Sequence, residues 1–156
     1  LLQKTPADSF TATAKLTLAA KEQGQMGGII MMGLDYSALV VKREGNSFLL
    51  QQVTCHGADK ENVEEVKTLA TLEPTSADKI DYQPAIYEQL YLRMRVHNGE
   101  VEFSYSTNGK KYKSVGETFQ MREGKWIGAK IGFVAQEPAG KSNRGWIDVD
   151  WFRVTK

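Results

Sequence analysis

The sequence predicts an all-β fold, a two-sheet antiparallel β-sandwich formed by one domain over residues 1–156. Three observations carry this. Apolar and polar residues alternate with period two along several segments. Asn-Gly pairs and other glycine-bearing turns separate those segments. Stretches with helical spacing are nearly absent.

The elements follow in order. Phe10, Ala12, Ala14, Leu16 and Leu18 alternate with Thr11, Thr13, Lys15 and Thr17, a half-buried strand with its apolar side inward. Gly24, Gly27 and Gly28 interrupt the chain. Ile29–Met32 and Leu39–Val41 then form a near-continuous apolar stretch around Gly33 and Asp35. Both faces of that stretch need cover, which places it centrally in a sheet. Glu44-Gly45-Asn46 turns the chain into a strand from Phe48 to Cys55. Over Glu61–Leu72, the alternation of Val66, Thr68, Ala70 and Leu72 favours loop then strand over helix. Lys79–Gln89 has room for a short helical turn, limited by Pro84. The Glu73–Gln89 stretch is long for a connection inside a compact domain.

Two Asn-Gly pairs give the sharpest local signals. His97-Asn98-Gly99-Glu100 separates Tyr91–Val96 from Val101–Tyr105, and Thr107-Asn108-Gly109-Lys110 separates that strand from Tyr112–Val115. Asn-Gly between alternating residues favours a tight primed turn, because both central positions tolerate positive φ. Two in succession predict a three-stranded meander. Ile127, Ala129, Ile131, Phe133 and Ala135 alternate again. In the last strand, Trp146–Val154, strict alternation puts Ile147, Val149 and Trp151 on one side and Asp148, Asp150, Phe152 and Val154 on the other.

Composition bounds the function. Twenty Lys+Arg stand against 19 Asp+Glu, a net charge of +1, which is no electrostatic footprint for nucleic acid or an acidic membrane surface. No apolar run is long enough to span a bilayer as a helix. A domain of this size buries about 68–70% of its unfolded surface and needs no staple. With a single cysteine, Cys55, an internal disulfide and a multi-cysteine metal site are both excluded. The chain opens Leu1-Leu2-Gln3-Lys4, without an initiator methionine or a signal peptide, and reads as an excised piece of something longer.

The catalytic constellations fail one by one. Cys55 and His56 are adjacent in a strand and point to opposite faces, so they cannot share a proton there. They read as a small buried thiol beside a strand-end histidine. No phosphate loop or dinucleotide glycine pattern follows a strand and opens a helix. His97 and His56 are the two histidines, too few for a zinc cluster. Asp148 and Asp150, roughly 7 Å apart on one strand, approach the carboxylate spacing of inverting glycosidases, about 6.5–9.5 Å. Those carboxyls must face each other across a sugar, whereas neighbours on one strand point the same way. Hard oxygen donors would suit calcium there, and a salt bridge to a cross-strand Lys or Arg is the favoured reading. We therefore expect no catalytic set, no metal and no cofactor.

Two surfaces could bind. Tyr91, Arg93, Arg95 and His97 share one strand face, opposite Leu92, Met94 and Val96, and Glu102 and Ser104 belong to the non-core face of the next strand. Arginine beside aromatic rings can hydrogen-bond and stack on polar ligands, while a solvated face of paired charges is the plainer reading. Trp126 falls on the register opposite Ile127, Ala129, Ile131 and Phe133, bordered by Gly128 and Gly132. A sugar ring or a neighbouring domain could lie on it; packing under the Lys141–Gly145 loop is the equal alternative.

Three motifs carry a resemblance. They are Phe103-Ser104-Tyr105-Ser106-Thr107-Asn108-Gly109-Lys110-Lys111-Tyr112, Gly124-Lys125-Trp126-Ile127-Gly128-Ala129-Lys130-Ile131-Gly132, and Gly145-Trp146-Ile147-Asp148-Val149-Asp150-Trp151-Phe152-Arg153-Val154. In this order, after the Leu1–Pro6 opening and the Phe10–Thr13 strand, the chain resembles the C-terminal concanavalin A-like β-sandwich of glycoside hydrolase family 43, the β-xylosidase and α-arabinofuranosidase group. The resemblance covers nearly the whole chain; the Glu73–Gln89 stretch has no counterpart in it. It implies a jelly-roll sandwich and an accessory role, because the family's catalytic carboxylates sit on a separate β-propeller of the same polypeptide. It implies that Trp126 stands where an aromatic side chain helps close the propeller's pocket, a position the family usually fills with phenylalanine. It implies a plant cell-wall oligosaccharide as ligand or substrate, and a periplasmic or secreted protein. The leading expectation is a docking and pocket-closing accessory domain. The alternative is an independent carbohydrate-binding module for xylan- or arabinan-type glycans, with Trp126 stacking on a sugar and Tyr91, Arg93 or Arg95 making polar contacts. A plain protein-interaction sandwich is the third reading.

Overall fold

Alternation becomes pairing along the whole chain. The computed structural model describes residues 1–75, 84–124, 128–140 and 145–156. Their strands are β1 (Leu2–Lys4), β2 (Ser9–Ala20), β3 (Met26–Met32), β4 (Tyr36–Glu44), β5 (Ser47–Cys55), β6 (Glu65–Leu72), β7 (Ala85–His97), β8 (Glu100–Ser106), β9 (Lys113–Gln120), β10 (Lys130–Gln136) and β11 (Trp146–Thr155), with one short 3-10 turn at Ala58–Lys60. They form a six-stranded sheet in the order β1-β10-β3-β4-β5-β6 and a five-stranded sheet in the order β11-β2-β7-β8-β9. All the pairings are antiparallel. The predicted two-sheet sandwich is the observed architecture.

The inner faces meet in one core. Phe10, Ala12, Ala14, Leu16 and Leu18 of β2 pack with Leu92, Met94 and Val96 of β7, Val101 and Phe103 of β8, and Ile29, Met31, Leu39, Val41, Phe48 and Leu50 of the facing sheet. Each fully buried Val, Leu, Ile, Met or Phe side chain among them contributes about 1.5–3 kcal/mol of burial free energy. A buried polar bridge crosses the sandwich. Gln52 of β5 donates to the Glu117 carbonyl at 2.8 Å, and its Oε1 accepts the Glu117 N–H at 2.8 Å. This satisfies a buried carboxamide and pins the irregular middle of β9 to the opposite sheet.

The apolar stretch Ile29–Met32 and Leu39–Val41 is central in its sheet, as β3 and β4. Its second face differs from expectation. Ile30, Ala38, Val40 and Val53 form a separate outer cluster with Met26, Met32, Tyr36 and Val134 against it. Among the described residues no second layer of structure lies over that face. Long neighbouring side chains shield it.

Three local expectations need correction. Ala85–Gln89 opens β7 and is not helical; residues 79–83 of that reading lie outside the described residues. At the β7–β8 junction Asn98 (φ 48°) and Gly99 (φ 80°) form the tight primed turn, with His97 opposite Glu100. The Asn108-Gly109 junction is wider, because Asn108 acts through its side chain instead. Its Oδ1 accepts the N–H groups of Lys110 and Lys111 at 2.9 and 3.0 Å, and Ser106 Oγ accepts that of Gly109 at 2.9 Å, a side-chain-built turn. The meander itself stands. Finally, β11 is bulged between Val149 and Trp151, so that Val149 opposes Leu16 and Trp151 opposes Lys15. The extra residue, Asp150, reverses the alternation. Phe152 and Val154 face the core with Ile147, and Trp151 faces outward.

Candidate functional site

The outer face of the five-stranded sheet gathers the predicted polar residues. Strand pairing sets two rows across β11, β2, β7 and β8. One runs Arg153, Thr13, Arg93, Ser104; the other runs Trp151, Lys15, Tyr91, Ser106. Tyr91, Arg93, Arg95 and His97 share this face, while Leu92, Met94 and Val96 are buried on the other side, as predicted.

The side chains of the two rows hold one another. Arg93 Nε donates to Thr13 Oγ1 at 3.0 Å, and its guanidinium carbon lies 3.4 Å from the Tyr112 ring centroid. The Arg153 guanidinium lies 4.3 Å from the centre of the Trp151 ring. The Trp151 and Tyr91 rings are 6.0 Å apart at an interplanar angle of 56°. Stacking occupies the flat face of a guanidinium and leaves its N–H edges available. Lys15, between the two rings in register, is neutralised by Asp150 at 2.7 Å, and that hydrogen-bonded carboxylate raises the ammonium pKa. Arg95 is exposed opposite Glu102 and outside these stacks.

Asp148 and Asp150 are committed to separate partners. Asp150 is the bulge residue bound to Lys15, the cross-strand salt bridge expected of it, and Asp148 accepts the Trp146 indole N–H at 3.2 Å. Cys55 is buried, with its thiol 3.2 Å from the Asn62 carbonyl, while the His56 ring turns out toward Asp35. Among the described residues no group of three or more His, Cys, Asp or Glu is arranged to hold a metal ion. A separate cleft of about 380 Å³ beside Trp146 is bordered by Gln25, whose carboxamide oxygen accepts the Lys21 and Glu22 N–H groups at 2.8 and 3.0 Å.

A second cluster ties three loops at one end of the sandwich. The buried Asp35 carboxylate accepts the Gly57 N–H at 2.7 Å and two N–H groups of Arg122 at 3.2 and 2.6 Å, with His56 Nδ1 at 3.5 Å. Arg122 also reaches Asp59 at 3.2 Å. Burial alone would raise the Asp35 pKa. The Gly57 amide, Arg122 and His56 outweigh it and hold the carboxyl below its ordinary value. The Leu34 N–H donates to the Arg122 carbonyl at 2.9 Å, and a Cβ on Gly33 would stand 1.9 Å from that oxygen. Only glycine permits so close an approach. Trp126 follows Arg122 by four residues in sequence and lies outside the described residues, as does its alternative cover at 141–144.

Sequence reasoning missed Trp151 and Tyr112 as members of the sheet-face group. Nothing in the run Asp148–Arg153 announces the bulge. Tyr112, by contrast, follows a visible turn, but only the fold brings it over Arg93.

Comparisons with known proteins agree on one family. The family model described as the β-xylosidase C-terminal concanavalin A-like domain matches residues 1–155. A β-xylosidase of Formosa agariphila is 28% identical over 142 residues, 91% of this chain and 20% of that protein. A xylan β-1,4-xylosidase from Bacillus halodurans superposes with a TM-score of 0.73 at 17% identity, over 99% of this chain and 29% of that one. A GH43 protein from Bacillus licheniformis gives 0.71 at 19% identity, over 99% and 29%. The chain therefore spans between a fifth and a third of the length of these relatives.

Proposed function

Since the chain belongs to the family of β-xylosidase C-terminal concanavalin A-like domains, we propose that it is a non-catalytic accessory domain of a plant-polysaccharide-degrading glycosidase. It docks on the catalytic β-propeller of the same polypeptide and helps close that domain's pocket through Trp126. One observation supports docking above the other readings. The outer face of the six-stranded sheet carries Ile30, Ala38, Val40 and Val53 with Met26, Met32, Tyr36 and Val134 around them, and Val66 beside Val53 is 56% exposed. Ile30, Ala38, Val40 and Val53 are already buried by their neighbours and share the face with Gln51 and Lys42, so the apolar surface left to favour a protein neighbour over solvent is the half-buried rim of Met26, Met32 and Val134 with the exposed Val66. The relatives' chains are several times longer than this one, which leaves room for such a neighbour. On this reading the domain is secreted or periplasmic with its polymer substrate.

Two variants of the full polypeptide test it. Val66→Glu puts a charge into the interface and should split one calorimetric unfolding transition into two. Trp126→Ala should lower kcat/KM about tenfold, or about 1.4 kcal/mol of transition-state binding. One transition in Val66→Glu together with unchanged kcat/KM in Trp126→Ala would sink the proposal.

A second reading has its own support. The half-exposed Trp151, Tyr91 and Arg93 with the exposed Arg153 form a polar-aromatic face that suits a saccharide. The two readings use opposite sheets and are compatible.

A further inference from the structure

We infer that the outer face of the five-stranded sheet selects saccharides that carry a carboxylate, that is, uronic-acid-substituted glycans, over neutral ones. This rests on the reading of that face as a sugar-binding surface and adds the ligand's chemical class. The argument begins with what the two arginines already have. Arg93 and Arg153 both stand opposite Thr13, on the strands either side of it. Their backbones are therefore two strand spacings apart, about 10 Å, and each presents its guanidinium on the same sheet face. Each guanidinium is stacked, Arg93 on Tyr112 and Arg153 on Trp151. Arg93 commits only its Nε–H, to Thr13. Among the described residues its Nη groups, and the whole N–H edge of Arg153, have no protein acceptor.

Stacking fixes these donors in advance, so binding costs them little side-chain entropy. The row Arg153, Thr13, Arg93, Ser104 contains hydroxyls but no carboxylate. The acids in the two adjoining rows face cations of their own: Asp150 is held by Lys15, and Glu102 stands opposite Arg95. The Trp151 and Tyr91 rings of the Lys15 row, half-exposed with Arg153 over one and the Gly109 turn against the other, give a sugar a partial aromatic wall. A planar carboxylate is the acceptor that guanidinium forks bind in bidentate fashion. A neutral sugar would leave those donors to water. An anion without a sugar ring would leave the aromatic wall unused. A uronic-acid residue engages both.

The test titrates this chain with two probes, xylotriose and the same trisaccharide bearing a glucuronic acid branch, with sodium glucuronate and sodium acetate as controls. We expect the branched probe to bind at least tenfold more tightly than xylotriose, with the difference shrinking as salt rises. Arg153→Gln should remove that preference. Arg93→Lys should weaken it, because a lysine keeps the charge and loses the fork. Both keep the apolar core intact, and a native far-ultraviolet spectrum with unchanged Tm confirms folding. Equal affinity for both trisaccharides would overturn the inference while leaving a sugar-binding face. Binding of neither would overturn both. Acetate as tight as the branched probe would reduce the face to a simple anion site and overturn the saccharide assignment. A preference that survives in Arg153→Gln and Arg93→Lys would place the site elsewhere.

Discussion

At the scale of single residues, Asp35 shows how much one carboxylate can organise. It sits on the hairpin between β3 and β4 yet receives donors from Gly57 and Arg122 of two other loops. Asp35→Ala would strand the Gly57 N–H and release Arg122, a cost of about 2–3 kcal/mol for losing a buried charged acceptor. Thermal melting at neutral pH should show it. The pH dependence has a definite sign. The folded carboxyl is depressed below its ordinary value, so its contribution is present above the unfolded pKa of about 3.9 and is lost as pH falls below that toward the folded pKa. The parent chain should therefore lose its margin over Asp35→Ala on acidification through that window. A constant difference in Tm down to the most acidic readable pH would refute the assignment. Nothing in the local sequence Gly33-Leu34-Asp35 announces this role, because both partners are distant along the chain and only the closed sandwich brings them together.

At the scale of elements, turns and strands were the most legible part of the molecule, and bulges the least. The core strands β2 and β7 could be read residue by residue, since alternation of Phe10–Leu18 and of Tyr91–His97 maps directly onto the two faces of a sheet. The Asn98-Gly99 turn was equally legible, because its positive φ values demand those residue types. Gly99→Ala should cost about 1–2 kcal/mol of stability through the left-handed backbone alone, and a Cβ there would also stand 2.9 Å from the Gln120 carboxamide. Denaturant midpoints compared at equal m-value would measure it, and a loss below a few tenths of a kcal/mol would mean the turn relaxes. The same Asn-Gly pair at Asn108-Gly109 gave a broader loop, because Ser106 and Asn108 side chains capture the backbone amides. The β11 bulge was hidden for a related reason. A single inserted residue leaves composition and local propensity unchanged, and only the need to bury both Ile147 and Phe152 reveals it. That insertion is what delivers Trp151 to the outer face, so half of the candidate site was invisible until the strands were paired.

At the scale of the whole molecule, the two sheets divide the labour. Their inner faces make a core that runs from Phe10 to Ile131 without help from outside, so this chain should fold by itself with a cooperative melt. Their outer faces differ in kind: one has a buried apolar centre shielded, among the described residues, by its own long side chains, and the other is polar, aromatic and cationic. Among the described residues, Asp148 and Asp150 are committed separately, to Trp146 and to Lys15, and do not face each other across a cleft as the acid pair of a glycosidase would. The folded chain should consequently release no nitrophenol from nitrophenyl β-xyloside or α-arabinofuranoside, at any pH where it remains native. Measurement under the conditions in which the full polypeptide is active makes the comparison direct. Release that persists through repurification and disappears in Asp148→Asn or Asp150→Asn would overturn the accessory assignment, since it would give those two carboxylates the role that their hydrogen bonds argue against.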